Sequence, residues 1–347
     1  MKRLSRVVLF VVTIVLTAVF LIGAYIWSKL DLIDYSDEEH HVVSDEEFEA
    51  YIADLGDLEI SDEVPIIPDT ETADSKRVTN ILILGTDERN KDFHYHARSD
   101  SMILVSIDSV NQTVKLVSFE RAVGVPILEG EYKGQYDLLT HIFRWGGSEL
   151  VVKTIEHCFK IDIDHYVRVN FSSVQNIVDT IGGIDLYLTA AEAHAINSET
   201  YDDYYLKKEY IMSEGMNHLN GAAALSFARL RKIDSDWQRV ERQRKVILAI
   251  VDRVKGSSIA ELDKLADTVL PMIQTDMTKL EVAELMLYAP TFLLSEFDQM
   301  TIPKQGTYGG MTIRTPGGAF AVDYEINNDL LYRFLYEGAT SEELLAE

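Results

Sequence analysis

The feature that most restricts this chain lies at its start. Residues 7–27, VVLFVVTIVLTAVFLIGAYIW, carry no charge, and as a helix they would extend about 31 Å, enough to cross the hydrocarbon of a bilayer. Lys2, Arg3 and Arg6 precede the run, which predicts a cytoplasmic N-terminus, and no second apolar span returns the chain. The run is too long for a signal-peptide core and lacks a convincing small-x-small cleavage site. The sequence therefore predicts a cytoplasmic tail at 1–6, a transmembrane anchor at 7–27, and everything beyond on the outer side of the membrane.

Charge is unevenly spread beyond the apolar run. The formal net charge is −25, yet residues 31–75 hold seventeen acidic side chains and no Lys or Arg. A spacer at 28–79 thus reads as a solvated stalk, with a short helix expected under the capping box Ser44 to Glu47. An acidic surface repels a phosphate backbone, which argues against general nucleic-acid binding. Any anionic ligand must be held by a local cluster. Cys158 is the single cysteine, so no intrachain disulfide forms, and its place in ELVVKTIEHCF predicts a small buried hydrophobe.

From residue 80 onward the pattern alternates between strands and helices. Strand periodicity covers 80–86, 101–108, 113–120, 165–171 and 184–188; helix periodicity covers 148–159, 174–181, 219–227, 236–254, 259–272, 280–288 and 326–336. This predicts one α/β domain, 80–347, with helices on both faces of a sheet. GTYGGMTIRTPGGAFAVDY reads as a glycine-rich loop and hairpin, with a last helix after it. No P-loop, dinucleotide-binding glycine motif or serine-hydrolase elbow is present.

The chemistry-bearing residues are arginines and aspartates. ILILGTDER places Asp87 where a strand leaves the sheet, HARSDSM offers Arg98 and Asp100 before the next strand, and Arg121 directly succeeds a third. Two carboxylates delivered by strand ends suit Mg²⁺, which takes few protein oxygens and fills its shell with water and phosphate. The His94-x-His96 pair has too few ligands for a transition-metal site.

The densest positive stretch is ARLRKIDSDWQRVERQR, 228–244, with five arginines and a lysine. An extended chain points Arg229 and Arg231 the same way, and the box Ser235 to Gln238 starts a helix at Asp236. On a helical wheel Val240, Ile247, Leu248 and Val251 define the buried stripe, with Arg239 and Gln243 along its edge. Arg242 falls on the far face and reads as solvated; Arg244 has no assignment. Two guanidinium groups about 7 Å apart at an effective dielectric near 20 repel by about 2.4 kcal/mol, so the cluster needs an anion. Asp234, Asp236 and Glu241 could supply it, or an external phosphate could.

Taken together, NILILGTDER, RSDSMILVSID, VKLVSFER, LTHIFRWGG, DHYVRVNF, VDTIGGIDLYL, LNGAAALSFARLR and DWQRVERQ resemble, in order and spacing, the LytR-CpsA-Psr enzymes of the bacterial envelope. The likeness runs from about residue 80 to 254 and thins beyond Gly256. It implies a central mixed β-sheet flanked by helices on both faces, and a phosphotransferase moving a glycopolymer such as teichoic acid or capsule. The donor would be a polyprenyl-pyrophosphate carrier in the membrane, and the acceptor a peptidoglycan hydroxyl. It further implies Mg²⁺ held by Asp87 and Asp100, and a pyrophosphate bound by Arg98, Arg121, Arg229, Arg231, Arg239 and Gln243. Asp100 and Arg121 would act in catalysis, Asp100 by accepting the proton. The family houses the lipid tail in an apolar tunnel, for which Phe143, Phe171 and Phe227 are candidates, ordinary core being the alternative for each.

Two positions depart from the family pattern. The usual proline-arginine-aspartate is Glu120, Arg121, Ala122, and a lysine common before LTH is Leu138. Two other readings therefore stay open: a lipid pyrophosphatase using the same site, and a non-catalytic envelope protein that binds polyprenyl phosphates.

Overall fold

The computed structural model describes residues 17, 23–35, 64–73, 77–87, 97–130, 132–198, 211–230, 233–293, 295, 297–313 and 318–347. Most of the apolar run and of the acidic spacer, including the box at Ser44, lies outside the described residues, as do Glu88, His94, His96 and Arg231. Among the described residues no helix is long and apolar enough to cross a membrane.

A seven-stranded mixed sheet forms the centre, in the order β1 (Asp34–Tyr35), β10 (Gln274–Thr275), β7 (His165–Asn170), β2 (Val78–Thr86), β3 (Ser99–Asp108), β4 (Thr113–Phe119), β11 (Phe297–Ile302). Strands β2 and β7 run parallel, β3 is antiparallel to both β2 and β4, and β11 is parallel to β4. The period of two divides β2 between the two faces. Leu82 and Leu84 enter one core, while Ile83 and Gly85 face the opposite layer.

On the first face, α1 (Leu139–Phe159) and α8 (Tyr324–Tyr336) bury Phe143, Phe159, Leu331 and Phe334 against Leu82, Leu84 and Leu104. On the second lie α2 (Phe171–Thr180), α4 (Gly221–Arg229) and α5 (Asp236–Lys255). With α3 (Ala190–Ser198) and the hairpin of β8 (Ile184–Leu188) and β9 (Gly215–Leu219), they form a separate core around Val178, Ile184, Phe227 and Val246. Two small hairpins, β5 (Gly124–Pro126) with β6 (Tyr136–Leu138) and β12 (Tyr308–Met311) with β13 (Ala319–Val322), close one end. Helices α6 (Ile259–Val269), α7 (Lys279–Leu293) and α9 (Ser341–Ala346) complete the domain.

Several elements differ from the sequence reading for identifiable reasons. Helix α1 begins at Leu139, nine residues before the predicted Ser148, across a kink in which Gly147 takes φ 64, a left-handed value that glycine adopts without strain. The strand read at Ile184–Leu188 pairs with β9, apart from the main sheet. Helix α9 comes after the helix expected to be last. Cys158 is fully buried, and burial pushes its thiol up to about 12.

The start of the predicted stalk is built into the domain. Residues 23–30 are helical, Leu30 and Ile33 are buried, and β1 adds in parallel to β10 at the sheet edge. Tyr25 donates to Asp263, and Lys29 pairs with Asp263 at 2.8 Å and Asp267 at 2.5 Å on α6. The chain thus leaves the apolar run already docked.

His165 heads β7 with Nδ1 3.7 Å from Asp276 and Nε2 3.9 Å from Glu281. The Asp276 carboxylate raises its pKa, against an opposing effect of burial and with help from Glu281. A raised folded value stabilises the fold below the unfolded pKa of about 6.5, and that contribution is lost as pH rises through the folded value. Denaturant titrations should therefore show wild-type stability declining between about pH 6 and pH 8. The decline should be shallower in His165→Gln.

Candidate functional site

A cavity of about 420 Å³ lies between the sheet and α2, α4 and α5, on the face opposite the first core. Its two ends differ in chemistry. Asp87, Arg98, Asp100, Arg229, Arg239 and Gln243 line one, and Val174, Ile177, Leu225, Ile247, Ile250 and Val251 the other. The polar end forms where β2 leaves the sheet and the antiparallel β3 enters it, with a register shift at Gly85/Thr86. A Cβ on Gly85 would lie 2.9 Å from the Cβ of Ser101, so only glycine allows the strands to approach this closely beneath the cavity.

Asp87 and Arg98 are tied through their backbones: Asp87 N–H donates to Arg98 O at 3.1 Å, and Arg98 N–H to Asp87 Oδ1 at 2.8 Å. Asp100 Oδ1 accepts from Arg121 Nη1 at 3.2 Å and from Thr140 Oγ1 at 3.5 Å. Gln243 Nε2 reaches the Asp100 carbonyl at 3.4 Å, fixing α5 over β3. The Arg229 guanidinium lies 4.4 Å from the centre of the Phe171 ring, a cation–π contact that holds it at the cavity wall. Arg239 is only 2% exposed, and the buried Nε of Arg98 has no hydrogen-bond partner among the described residues.

Of the residues read from sequence, Asp87, Arg98, Asp100, Arg229, Arg239 and Gln243 meet in this cavity, and Arg121 reaches it through Asp100. Phe171 lines the wall, whereas Phe143 and Phe227 belong to the two cores. Thr140 and Asn170 are additions for which the sequence carries no separate signal. Thr140 holds Asp100, and Asn170 lines the cavity while capping α2, its Oδ1 accepting from Ser173 N–H.

Arg242 is a correction. The wheel places it in solvent, but it is 1% exposed. Its Nη1 and Nη2 grip Asp234 at 2.5 and 2.8 Å, Nη2 donates to Leu230 O at 3.0 Å, and Glu192 stands 3.6 Å away. Helix α5 is covered on this side by the loop after α4, which a one-stripe wheel leaves out. Arg244 is also buried, donating to Ser118 Oγ at 3.0 Å, Met300 O at 3.1 Å and Thr301 Oγ1 at 2.5 Å, so that it ties α5 to β4 and β11. Asp234 thus answers Arg242, and Glu241 pairs with Lys245 at 2.8 Å.

Comparison with known proteins agrees with this architecture. Residues 43–319 match the LytR_cpsA_psr family. The chain belongs to that family. Among curated relatives, the Bacillus subtilis polyisoprenyl-teichoic acid–peptidoglycan teichoic acid transferase TagV is 30% identical over 68% of this chain and 59% of its own length. B. subtilis TagU, of the same description, is 34% identical over 54% of this chain and 55% of its own. The chain thus spans somewhat over half the length of these relatives. The B. subtilis TagV crystal structure superposes with TM-score 0.58 at 26% identity, covering 75% of this chain and 98% of that one. TagT bound to LI-WTA gives 0.58 at 25%, covering 79% and 96%. Protein gbs0355 of Streptococcus agalactiae gives 0.64 at 21%, covering 77% and 90%, a likeness of fold.

The two departures from the LytR_cpsA_psr pattern fall in one place. Leu138 forms an apolar cluster with Met311, Ile313 and Ala319, and Ala122 packs against that cluster. A carboxylate at 122 and an ammonium at 138 would attract each other there, so their joint replacement leaves no unpaired charge. Glu120 meanwhile stands fully buried in the proline position, with its N–H donating to Ile302 O at 2.8 Å.

Denaturant titrations test both features. Arg242→Ala removes the forked contact to Asp234 and the bond to Leu230 O, while Glu192 keeps its bonds from Thr189. The change should cost about 1.5–3 kcal/mol, with Arg242→Lys recovering little because one ammonium cannot make the forked contacts. Ala122→Asp alone should destabilise, and adding Leu138→Lys should restore part of the loss with a coupling of about 1–2 kcal/mol. Strict additivity of that pair would rule out a joint replacement.

Proposed function

We propose that this protein is a membrane-anchored glycopolymer transferase that takes its substrate from a polyprenyl-pyrophosphate carrier and joins it to a peptidoglycan hydroxyl. The observation that carries the reading is the two-ended cavity. An arginine- and aspartate-lined mouth leading into an apolar recess matches an anionic head joined to a hydrocarbon tail, and little else in an acidic protein explains that pairing. The named activity of the Tag relatives supports it. The apolar run at 7–27 serves as a single-pass anchor with a cytoplasmic N-terminus and an outward-facing domain.

In this reading Arg98, Arg229, Arg231 and Arg239, with Gln243, hold the pyrophosphate, and Val174, Ile247 and Val251 take the first isoprene units. Arg121, held by Asp100, faces the phosphate that carries the glycan. The acceptor oxygen attacks that phosphorus, the bridging bond to the lipid phosphate breaks, and Asp100 receives the hydroxyl proton. Phosphoryl transfer of this kind depends mostly on charge neutralisation and alignment. Two carboxylates at one cavity end, Asp87 and Asp100, are a donor set compatible with Mg²⁺. Mg²⁺ needs only one or two carboxylates when phosphate oxygens complete its shell, and it would supply charge neutralisation at the pyrophosphate.

Purified full-length protein in detergent should bind a polyprenyl pyrophosphate. Arg229→Ala or Arg239→Ala should each weaken that binding by about 10- to 100-fold, from the loss of a charge-assisted hydrogen bond. With a lipid-linked glycan and a peptidoglycan acceptor, transfer should depend on Asp100 and on added Mg²⁺. Phosphate release indifferent to acceptor would support the hydrolytic reading, and tight binding without turnover the regulatory one.

A further inference from the structure

Trp237, Tyr308 and Phe320 form an aromatic group that neither the phosphate end nor the lipid end of the cavity uses. Trp237 lies 5.7 Å from Tyr308 and 6.5 Å from Phe320, within 24° of parallel to both, and Tyr308 is 4.5 Å from Phe320. None of the three rings is fully buried.

Their position is set by backbone connections to the site. Phe320 N–H donates to Ala122 O at 2.8 Å, and Phe320 bridges Val123 in parallel, so the hairpin of β12 and β13 is joined to the residues immediately after Arg121. Trp237 is the second residue of α5, two before Arg239. Across the sheet order β7, β2, β3, β4, the apolar recess lies over β7 and β2, and Asp100 and Arg121 stand at β3 and β4. The rings come next, on the side away from the tail.

The hairpin also leaves space beside them. Tyr308 pairs with Val322 and Gly310 with Phe320. Residues directly opposite in an antiparallel pair share a face, as do residues two apart, so Tyr308, Gly310 and Phe320 present to one side. A Cβ on Gly310 would meet nothing within 4 Å. The Phe320 ring therefore does not fold over the glycine as it would to repair a bare hairpin, and the surface next to the rings is open.

We propose that Trp237, Tyr308 and Phe320, with the bare Gly310 beside them, form a saccharide subsite for the first sugar rings of the pyrophosphate-linked donor. The proposal rests on the transferase reading and adds where the glycan leaves the phosphate site. A sugar ring has an apolar C–H face that stacks on an aromatic plane while its hydroxyls stay in water or bond to the rim. Such a surface selects for a glycan without a fixed hydrogen-bond code.

The test uses full-length protein in detergent and two probes, a polyprenyl pyrophosphate without sugar and the same lipid carrying a disaccharide. Wild type should bind the glycosylated lipid about tenfold more tightly than the bare one, on the scale of one or two stacking contacts. Trp237→Ala and Gly310→Leu should each remove that advantage while leaving bare-lipid affinity within about twofold, and Trp237→Phe should keep most of it. Gly310→Leu guards against misfolding of the tryptophan variant, because the added side chain meets open space. Equal weakening of both probes, or no change in either, would overturn the subsite. Ring-dependent binding of a soluble peptidoglycan fragment with donor affinity untouched would overturn the donor assignment in favour of the acceptor. Failure of wild type to bind either lipid, with Arg229→Ala no different, would instead defeat the transferase reading.

Discussion

The buried Arg242, by its pairing with Asp234, ties the link after α4 to α5, and these two helices carry the described arginines of the cluster. Seventeen residues with six positive charges need anions, and the acids nearest in sequence are the obvious source. Once Asp234 is held by Arg242 from below the loop, and Glu241 by Lys245 on the outer face of α5, neither is turned to the cavity. Arg229 and Arg239 line a cavity with an apolar far end. Arg242 instead holds Leu230 and Asp234, tying the end of α4 to the start of α5.

The cavity exists because the helices on the second face do not close fully onto the sheet. Alternation along β2 sends Leu82 and Leu84 to one face and Ile83 and Gly85 to the other. On that second face, the helices α2, α4 and α5 satisfy most of their apolar surface among themselves and against the β8–β9 hairpin. The helical layer is thus stable without pressing fully onto the sheet. Gly85 and the register shift beside it remove bulk where a headgroup would sit. Fold and site are in this sense one arrangement: the gap that a close-packed α/β domain would fill is retained between layers that are each packed independently.

Much of this is legible in the sequence where a single period governs. Long strands such as 101–108 and helix α5 stand out, and the wheel places Arg239 and Gln243 on the edge that meets the sheet. It fails for Arg242 because a wheel assumes one buried face, whereas α5 is covered on two. Arg244 has no assignment from sequence because its partners, Ser118 and Thr301, lie more than fifty residues away on strands β4 and β11. Short elements such as β10 and β5 carry too few residues to show a period. The aromatic group is illegible for a related reason: Trp237, Tyr308 and Phe320 are brought together only by the pairing of a distant hairpin with the residues after Arg121. The shared cluster at Ala122 and Leu138 likewise looks like two unrelated departures until the fold sets them side by side.

If one space serves both an anionic head at its arginine end and a hydrocarbon tail at the other, a structure of the protein grown with a polyprenyl phosphate will show both at once. Phosphate oxygens should lie within hydrogen-bonding distance of Arg229 and Arg239, and tail density should run past Val174, Ile247 and Val251. Density lying outside this cavity, or a phosphate bound while Ile247 and Val251 remain closed against the sheet, would be incompatible with a shared head-and-tail site.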